Sequence, residues 1–283
     1  MDKNYYKDQT LQILALHDKV DKQASALQSL WEGGERKSTE YVKKEDRDKI
    51  KNLGVAVDIL KTMGQVAGKK GKSDTVKYIR LAELLWEGYG REGRVVASHI
   101  LGQLNDMAPE MVLSVCRSLV ATSVSWEECD NLTYGVEPII RKYPAENLEK
   151  LNDWLTDDSK WVKRVALNVL ARLPMKQADY TTRCMEMASL CFEYDDHDVR
   201  RTCSFVLRMA ARGNIAEVPQ FLERNIGGQN KTKVWIFSDT IKSMTKSFLP
   251  EFKPLLPLYE KWKESLTDKM AIKSIDSAIK LLK

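Results

Sequence analysis

The sequence has few of the residues that build disulfide-linked or metal-linked folds. Its 283 residues include five cysteines and three histidines. An odd number of cysteines with no Cys-x-x-Cys pair does not suit a disulfide framework, and His17, His99 and His197 are isolated, without metal-ligand spacing. The cysteines lie within apolar helical patterns. We therefore expect reduced cysteines in the core and no metal site.

Long apolar segments are also lacking. The N-terminal residues, MDKNYYKDQTLQILALHDK, do not contain the uninterrupted apolar stretch of a signal peptide. No later segment approaches about 18 apolar residues without a charge, which is the length that a membrane span needs. The sequence therefore predicts a cytoplasmic protein with no membrane segment.

Neither sign of charge dominates. Lysine and arginine number 45 and aspartate and glutamate 40, so the formal net charge is only +5. Any affinity for a polyanion must therefore depend on where the charges lie rather than on their sum.

Alternating β-branched residues, the pattern of strands, are nearly absent, whereas residues 75–225 read as helices separated by short breaks with Gly, Pro, Asn or Asp. Two segments are alike: DDSKWVKRVALNVLARL from Asp157 and DDHDVRRTCSFVLRMAA from Asp195. Matching Val162 with Val199 gives a period of about 37 residues, close to that of two-helix solenoid repeats. The sequence therefore predicts an all-α superhelical solenoid of HEAT-like repeats with a concave face.

We interpret residues 1–283 as one repeat domain in three regions. Residues 1–74 hold N-terminal helices; the Lys-rich stretches KSTEYVKKEDRDKIKN and GKKGKS (Gly68 to Ser73) indicate helical hairpins joined by a mobile basic loop. Residues 75–225 are the central repeats that carry the site. Residues 226–283, interrupted by Pro250, Pro254 and Pro257, form a C-terminal helical cap.

The helix predicted near 198–212 has two stripes. Its core stripe follows the spacing of a buried face and contains Val199, Cys203, Val206, Leu207 and Ala210. The second stripe has the same spacing but is displaced by about 200°; it contains Arg201, Phe205, Arg208 and Arg212. Phe205 is thus set among arginines. The alternative is that Phe205 packs against a neighbouring repeat.

Two other helices repeat this arrangement. In the helix near 160–173, the residues outside the core stripe are Trp161, Arg164, Asn168 and Arg172; in the helix that starts near Ser125 they are Trp126, Asp130, Thr133 and Glu137. Trp126 and Asp130 are i, i+4 neighbours, so their side chains share one surface. The alternative for Asp130 alone is an ordinary carboxylate of a helix's first turn.

A surface of this kind suits DNA that carries a damaged nucleotide. Arginines hold phosphates, and aromatic faces attract cations. A carboxylate can stabilise an oxocarbenium-like sugar or position a water molecule.

These same residues resemble a known family, the AlkD-type alkylpurine DNA glycosylases. SWEECD from Ser125 is similar to the family's Trp-x-x-x-Asp motif, KWVKRVAL from Lys160 to its Trp-hydrophobic-x-Arg helix, and VRRTCSFVLR from Val199 to a later helix. LLWEGYGREGRVVASHIL from Leu84 resembles an upstream Leu-Trp...Arg-Glu segment, so the resemblance spans roughly residues 50–225.

The resemblance implies a right-handed solenoid and removal of N3- and N7-alkylated purines from duplex DNA, by a monomeric enzyme without metal or cofactor. It implies Asp130 as the catalytic carboxylate, with Trp126 and Phe205 against the lesion. The expected DNA contacts are Arg164, Lys163, Trp161, Arg201, Arg208 and Arg212. Phe205 stands where the family has a second tryptophan, and Ser125 where members often have another.

Three functions stay open at this point. The first is a monofunctional DNA glycosylase, favoured because Trp126, Asp130 and Arg164 occur together. The second is a non-catalytic HEAT module that binds DNA or protein through its concave face, and the third is a structural scaffold.

Overall fold

A computed structural model of the chain describes residues 2–33 and 50–283. Within these ranges the chain forms helices and turns and contains no strand, which confirms the all-α prediction. The chain divides into two compact units, Met1–Pro144 and Ala145–Lys283. This boundary falls inside the predicted central region, and the organisation as one domain stays a prediction.

The first unit is built from seven α-helices among the described residues. They are α1 (Lys3–Leu16), α2 (Val20–Glu32), α3 (Val57–Lys70), α4 (Thr75–Gly88), α5 (Gly90–Leu104), α6 (Pro109–Val120) and α7 (Trp126–Lys142). Alternate helices pack side by side: α1, α3, α5 and α7 form one layer, and α2, α4 and α6 the other. This is the arrangement of stacked helical pairs.

Glycine sets the spacing between α3 and α5. A Cβ atom at Gly64 would lie 2.6 Å from the Val96 carbonyl oxygen, and one at Gly68 would lie 2.7 Å from the Ile100 carbonyl oxygen. Both oxygens belong to the backbone, so they cannot rotate away from an added Cβ atom as a flexible side chain could. The two glycines, one helical turn apart, therefore let the backbones of α3 and α5 approach closely.

The second unit follows the same plan. Its helices are α8 (Pro144–Asn147, at the boundary), α9 (Asn152–Leu155), α10 (Lys160–Arg172), α11 (Thr181–Ser189), α12 (His197–Gly213), α13 (Glu217–Asn225), α14 (Lys231–Lys242), α15 (Leu249–Phe252), α16 (Leu256–Ser265) and α17 (Lys269–Leu282). The helices α10, α12, α14 and α17 pack in that order as one layer. The predicted C-terminal cap thus continues the layer of the central repeats.

Polar contacts join equivalent positions of successive repeats. The Trp86 indole donates to the Thr122 hydroxyl, 36 residues later. In the second unit, the Tyr194 hydroxyl donates to the carbonyl of Asp158, again across 36 residues. This separation is close to the predicted period of 37 residues, so the repeat was identified correctly from the sequence.

The predicted cores are also confirmed. The apolar stripes of α7, α10 and α12 are buried, and all five cysteines are buried and free. Burial raises the pKa of the Cys116 thiol to about 12 and that of Cys191 to about 11. These thiols therefore stay protonated at neutral pH.

Of the two Lys-rich stretches predicted in the N-terminal region, the structure describes one completely. The stretch Gly68 to Ser73 is helical, because α3 continues to Lys70 and a 3₁₀-helix follows at Gly71–Ser73. The lysines there are good helix formers that stay exposed on a helix whose other side is packed. Most of the predicted Lys-rich segment KSTEYVKKEDRDKIKN lies outside the described residues.

Candidate active site and nucleic-acid surface

The first turn of α7 presents Trp126 and Asp130. Trp126 is the first residue of the helix and is 36% exposed. Asp130 follows one turn later on the same side and is partly exposed, while the neighbouring Cys129 and Leu132 are fully buried. Both candidate residues therefore lie at the surface of the first unit, as the stripe pattern predicted.

The two glutamates between these residues hold the turn in place. Glu128 is only 3% exposed, and its carboxylate lies 2.7 Å from Nη1 of Arg94 on α5. The same carboxylate accepts hydrogen bonds from the Val124 backbone N–H at 2.9 Å and from the Ser125 hydroxyl at 3.3 Å. The chain entering α7 is therefore fixed to α5 by a buried ion pair.

Glu127 makes a second ion pair with α5, which is partly buried. Arg91 donates from Nε and Nη2 to the two carboxylate oxygens of Glu127, at 2.8 and 2.7 Å, and from Nη1 to the Val55 carbonyl at 3.0 Å. Burial alone would lower the pKa of Arg91, but the hydrogen bonds and charge of Glu127 outweigh it and the pKa is raised. A bidentate pair of this kind fixes orientation as well as distance.

The next turn of α7 adds an aromatic residue and a cation. Tyr134 is exposed, and the Lys61 ammonium of α3 lies 5.2 Å from its ring centroid. The His99 ring packs 5.0 Å from Tyr134, centroid to centroid, and its buried Nε2 has no hydrogen-bond partner among the described residues. Burial, and to a lesser degree the charge of Lys61, lower the pKa of His99 to about 4, so the imidazole is neutral at pH 7.

The three residues of α10 that are predicted to contact DNA differ in their exposure to solvent. Trp161 and Arg164 are partly exposed; the Lys160 ammonium lies 4.3 Å from the Trp161 ring centroid, and Arg164 donates to the Thr202 hydroxyl of α12 at 3.1 Å. Lys163 is only 6% exposed.

The prediction that Lys163 contacts DNA is wrong for this reason. Its ammonium donates to the Leu155 carbonyl at 2.8 Å and lies 4.8 Å from the Tyr194 ring centroid. A buried ammonium that is hydrogen-bonded in this way is not available to a phosphate, so Lys163 does not belong to the DNA-contacting set. The long alkyl stem lets a lysine pack beside a core stripe, which the sequence pattern could not indicate.

On α12, the predicted arginine stripe is present. Arg201 and Arg212 are exposed, and Phe205 and Arg208 are partly buried. The Arg208 guanidinium lies 5.6 Å from the Phe205 ring centroid, and its buried Nε has no hydrogen-bond partner among the described residues. Burial and the charges of Arg201 and Arg212 lower the pKa of Arg208, against the opposing charge of Asp239.

The second stripes of α7 and α10 contain fewer surface residues than the sequence predicts. Thr133 and Asn168 are buried, because the adjacent repeat covers their side of each helix. Thr133 satisfies its hydroxyl by donating to the Cys129 carbonyl one turn earlier, at 2.8 Å. Both residues are therefore removed from the surface, while Trp126, Asp130 and Glu137 remain on it.

A comparison with known protein families matches residues 25–267 to the family described as DNA alkylation repair enzyme. The chain belongs to this family. Membership in the DNA alkylation repair enzyme family supports a role in DNA repair. The match covers all of the helices that carry the predicted site residues.

Other comparisons add no further function. A search of curated proteins finds no match. Among solved structures, a designed armadillo repeat protein is 16% identical with a TM-score of 0.36, covering 73% of this chain and 100% of its own. Two engineered proteins are each 14% identical: one has a TM-score of 0.34 and covers 98% of both chains, and the other has a TM-score of 0.36 and covers 100% of this chain and 79% of its own.

The described ranges, residues 2–33 and 50–283, show neither a metal-ligand cluster nor a helix that could span a membrane. They contain no group of three or more His, Cys, Asp or Glu side chains that could hold a metal ion. They also contain no helix that combines the length and the apolar character needed to cross a membrane.

Sequence reasoning missed the residues that position the site in this family member. Arg91 and Arg94 were quoted only as part of an upstream motif, and Glu127 and Glu128 only as spacers. Their separation in the sequence could have identified them, because Arg91 lies 36 residues before Glu127 and Arg94 lies 34 residues before Glu128. Opposite charges one repeat apart indicate an ion pair between stacked helices.

Proposed function

We propose that this protein is a monofunctional DNA glycosylase that removes N3- or N7-alkylated purines from duplex DNA. The observation that carries the proposal is the presence of exposed Trp126 and partly exposed Asp130 on a helix turn that two ion pairs hold to α5. A catalytic group must be held in one geometry to stabilise a developing charge without reorganising. The anchored turn meets this requirement.

The proposed chemistry follows from the charge of the lesion. An alkylated N3 or N7 makes the purine cationic and therefore a good leaving group, so the enzyme needs mainly to stabilise the deoxyribose cation as the glycosidic bond breaks. Asp130 supplies a negative charge for that cation and can orient the attacking water. Trp126 supplies a π face beside it. This reaction calls for no metal or cofactor.

The second unit contributes DNA contacts in this proposal. Arg164, Arg201 and Arg212 present guanidinium groups that suit phosphate oxygens, and Phe205 with Trp161 offers apolar faces to sugar and base. Arg208 lies on the same stripe of α12 and belongs to the expected set of phosphate contacts. We expect the partner to be double-stranded DNA and the enzyme to act as a cytoplasmic monomer.

Purine release by the Asp130→Asn variant tests the proposal. Single-turnover release of 7-methylguanine or 3-methyladenine from methylated duplex DNA should be abolished, because the amide carries no charge. DNA affinity should be unchanged or slightly higher, since repulsion of phosphate is reduced. Glu137→Gln is the matched control, because Glu137 lies on the same stripe of α7 and pairs with Arg141. Release by the Asn variant at the wild-type rate would exclude Asp130.

One observation favours a second function, a DNA-binding module without catalysis. Phe205, with a smaller π face, stands where the resemblance places a tryptophan, and its ring centroid lies 5.6 Å from the Arg208 guanidinium. Salt-dependent DNA binding by the wild-type protein without purine release would identify this second function.

A further inference from the structure

The surface of α7 carries a third side chain beside the proposed catalytic pair. Tyr134 follows Asp130 by four residues; it is 42% exposed, and Asp130 is partly exposed. Side chains at i and i+4 of a helix lie one above the other, with Cβ atoms about 5–6 Å apart, and they lean towards the helix N-terminus. The Tyr134 side chain is therefore directed towards Asp130.

Side chains of two other helices hold the Tyr134 ring. The His99 ring of α5 packs 5.0 Å from it, centroid to centroid, and the Lys61 ammonium of α3 lies 5.2 Å from its centroid. The backbones are also close, because a Cβ atom at Gly102 of α5 would lie 3.1 Å from the Tyr134 carbonyl oxygen. These contacts fix the orientation of the ring, and a group that acts on a reacting atom needs such fixation.

The buried side chain beside Tyr134 adds no positive charge. His99 is 3% exposed, and burial together with the charge of Lys61 lowers its pKa to about 4, so the imidazole is neutral at pH 7. The proposed reaction builds positive charge on the deoxyribose, and an imidazolium at this place would oppose that charge. The support of Tyr134 on the α5 side is therefore compatible with the proposed chemistry.

We propose that the Tyr134 hydroxyl and the Asp130 carboxylate together hold the water molecule that attacks the sugar, which makes Tyr134 a further catalytic residue. The inference rests on the proposed function, because it takes hydrolysis of the glycosidic bond as the reaction. Side chains one helical turn apart can bracket one water molecule, at about 2.7–2.8 Å from each oxygen.

The water is consumed in a balanced step. As the bond between the sugar C1′ and the purine breaks, its electron pair goes to the purine and neutralises the positive charge of the lesion. The water oxygen bonds to C1′, and one of its protons passes to Asp130 and then to solvent. The other hydrogen of the water donates to the Tyr134 hydroxyl oxygen, which leaves a lone pair of the water directed at C1′.

Tyr134→Phe tests this role, because it removes the hydroxyl and keeps the ring that packs on His99 and Lys61. In single-turnover reactions on methylated duplex DNA, the rate constant of purine release at saturating enzyme should fall about tenfold, the value of one hydrogen bond made in the transition state. The enzyme concentration that gives half of the maximal rate should change by no more than about twofold, since ground-state binding is retained.

Tyr143→Phe is the matched control. Tyr143 is an exposed tyrosine that follows α7, and the Lys142 ammonium lies 5.5 Å from its ring centroid. It lies three turns beyond Asp130, so loss of its hydroxyl should leave the rate constant at the wild-type value.

The products formed in aqueous methanol give a second readout. Water and methanol can both add to the deoxyribose cation, and an enzyme that holds a water molecule favours the abasic sugar over the methyl glycoside. Tyr134→Phe should raise the fraction of methyl glycoside. A substitution that only loosens packing leaves this fraction unchanged.

The outcomes separate this inference from the proposed function. Wild-type release by Tyr134→Phe, slower release with an unchanged methyl glycoside fraction, or an equal loss in Tyr143→Phe overturns the catalytic role of Tyr134. In each of these cases, purine release by the wild-type protein leaves the proposed function in place. Wild-type protein that releases no purine overturns both.

Discussion

Replacing Glu128 by alanine should destabilise the first unit strongly. The carboxylate is 3% exposed and satisfies Arg94, the Val124 N–H and the Ser125 hydroxyl together. Removing one partner of a buried ion pair leaves the other charge uncompensated, at a cost of about 3–5 kcal/mol. Arg94 also donates to the Thr122 carbonyl at 3.2 Å and lies 5.0 Å from the Trp86 ring centroid. These contacts moderate the loss, so we expect the lower end of that range.

Unfolding in urea, followed by circular dichroism, measures the effect. Glu128→Gln keeps the shape and one acceptor oxygen, and should cost about 1.5–3 kcal/mol, the value of a hydrogen bond to a charged group. The double variant Arg94→Met, Glu128→Leu removes both charges and should be less destabilised than Glu128→Ala alone. Glu87→Ala, at an exposed position of α4, should change stability by no more than about 0.5 kcal/mol. A loss below about 1 kcal/mol in Glu128→Ala would refute the anchoring argument.

Three further predictions concern single residues. Phe205→Trp should raise purine release about two- to fivefold, since indole is the stronger π face; a lower melting temperature with no faster release would instead show that Phe205 is a packing residue. Arg164→Gln should lower the salt slope of DNA binding by about one, and an unchanged slope would remove Arg164 from the phosphate contacts. His99 has a pKa of about 4 in the folded protein and an ordinary value of 6.5. As the pH falls, the unfolded chain therefore binds a proton at this histidine before the folded protein does. Its contribution to stability is therefore complete above pH 6.5 and falls by about 3 kcal/mol as the pH approaches 4; a His99→Gln variant with the same pH dependence of unfolding would contradict this.

The helices could be predicted from the sequence because local signals mark their ends. Asp106 lies in the gap between α5 and α6 and Pro109 begins α6, as expected from breaks that contain Gly, Pro, Asn or Asp. Core stripes were also predictable, because a buried helix face must repeat its apolar residues every three or four positions. Both signals act within one helix and need no knowledge of its neighbours.

The burial of polar residues could not be predicted in this way. Lys163, Thr133 and Asn168 each lie beside a core stripe, and only the neighbouring repeat decides that they are covered. The ion pairs of Arg91 and Arg94 likewise join helices that are far apart in the sequence. Such contacts depend on tertiary packing, which a single sequence indicates only through its repeat spacing.

The anchoring of the α7 turn has a consequence for sequence change in this protein's relatives. Glu127 and Glu128 lie inside the Trp126-to-Asp130 motif, yet their partners Arg91 and Arg94 lie one repeat upstream. A substitution at one end leaves a buried charge at the other, so the two ends are constrained to change together. The four positions should therefore covary as two pairs across aligned homologues.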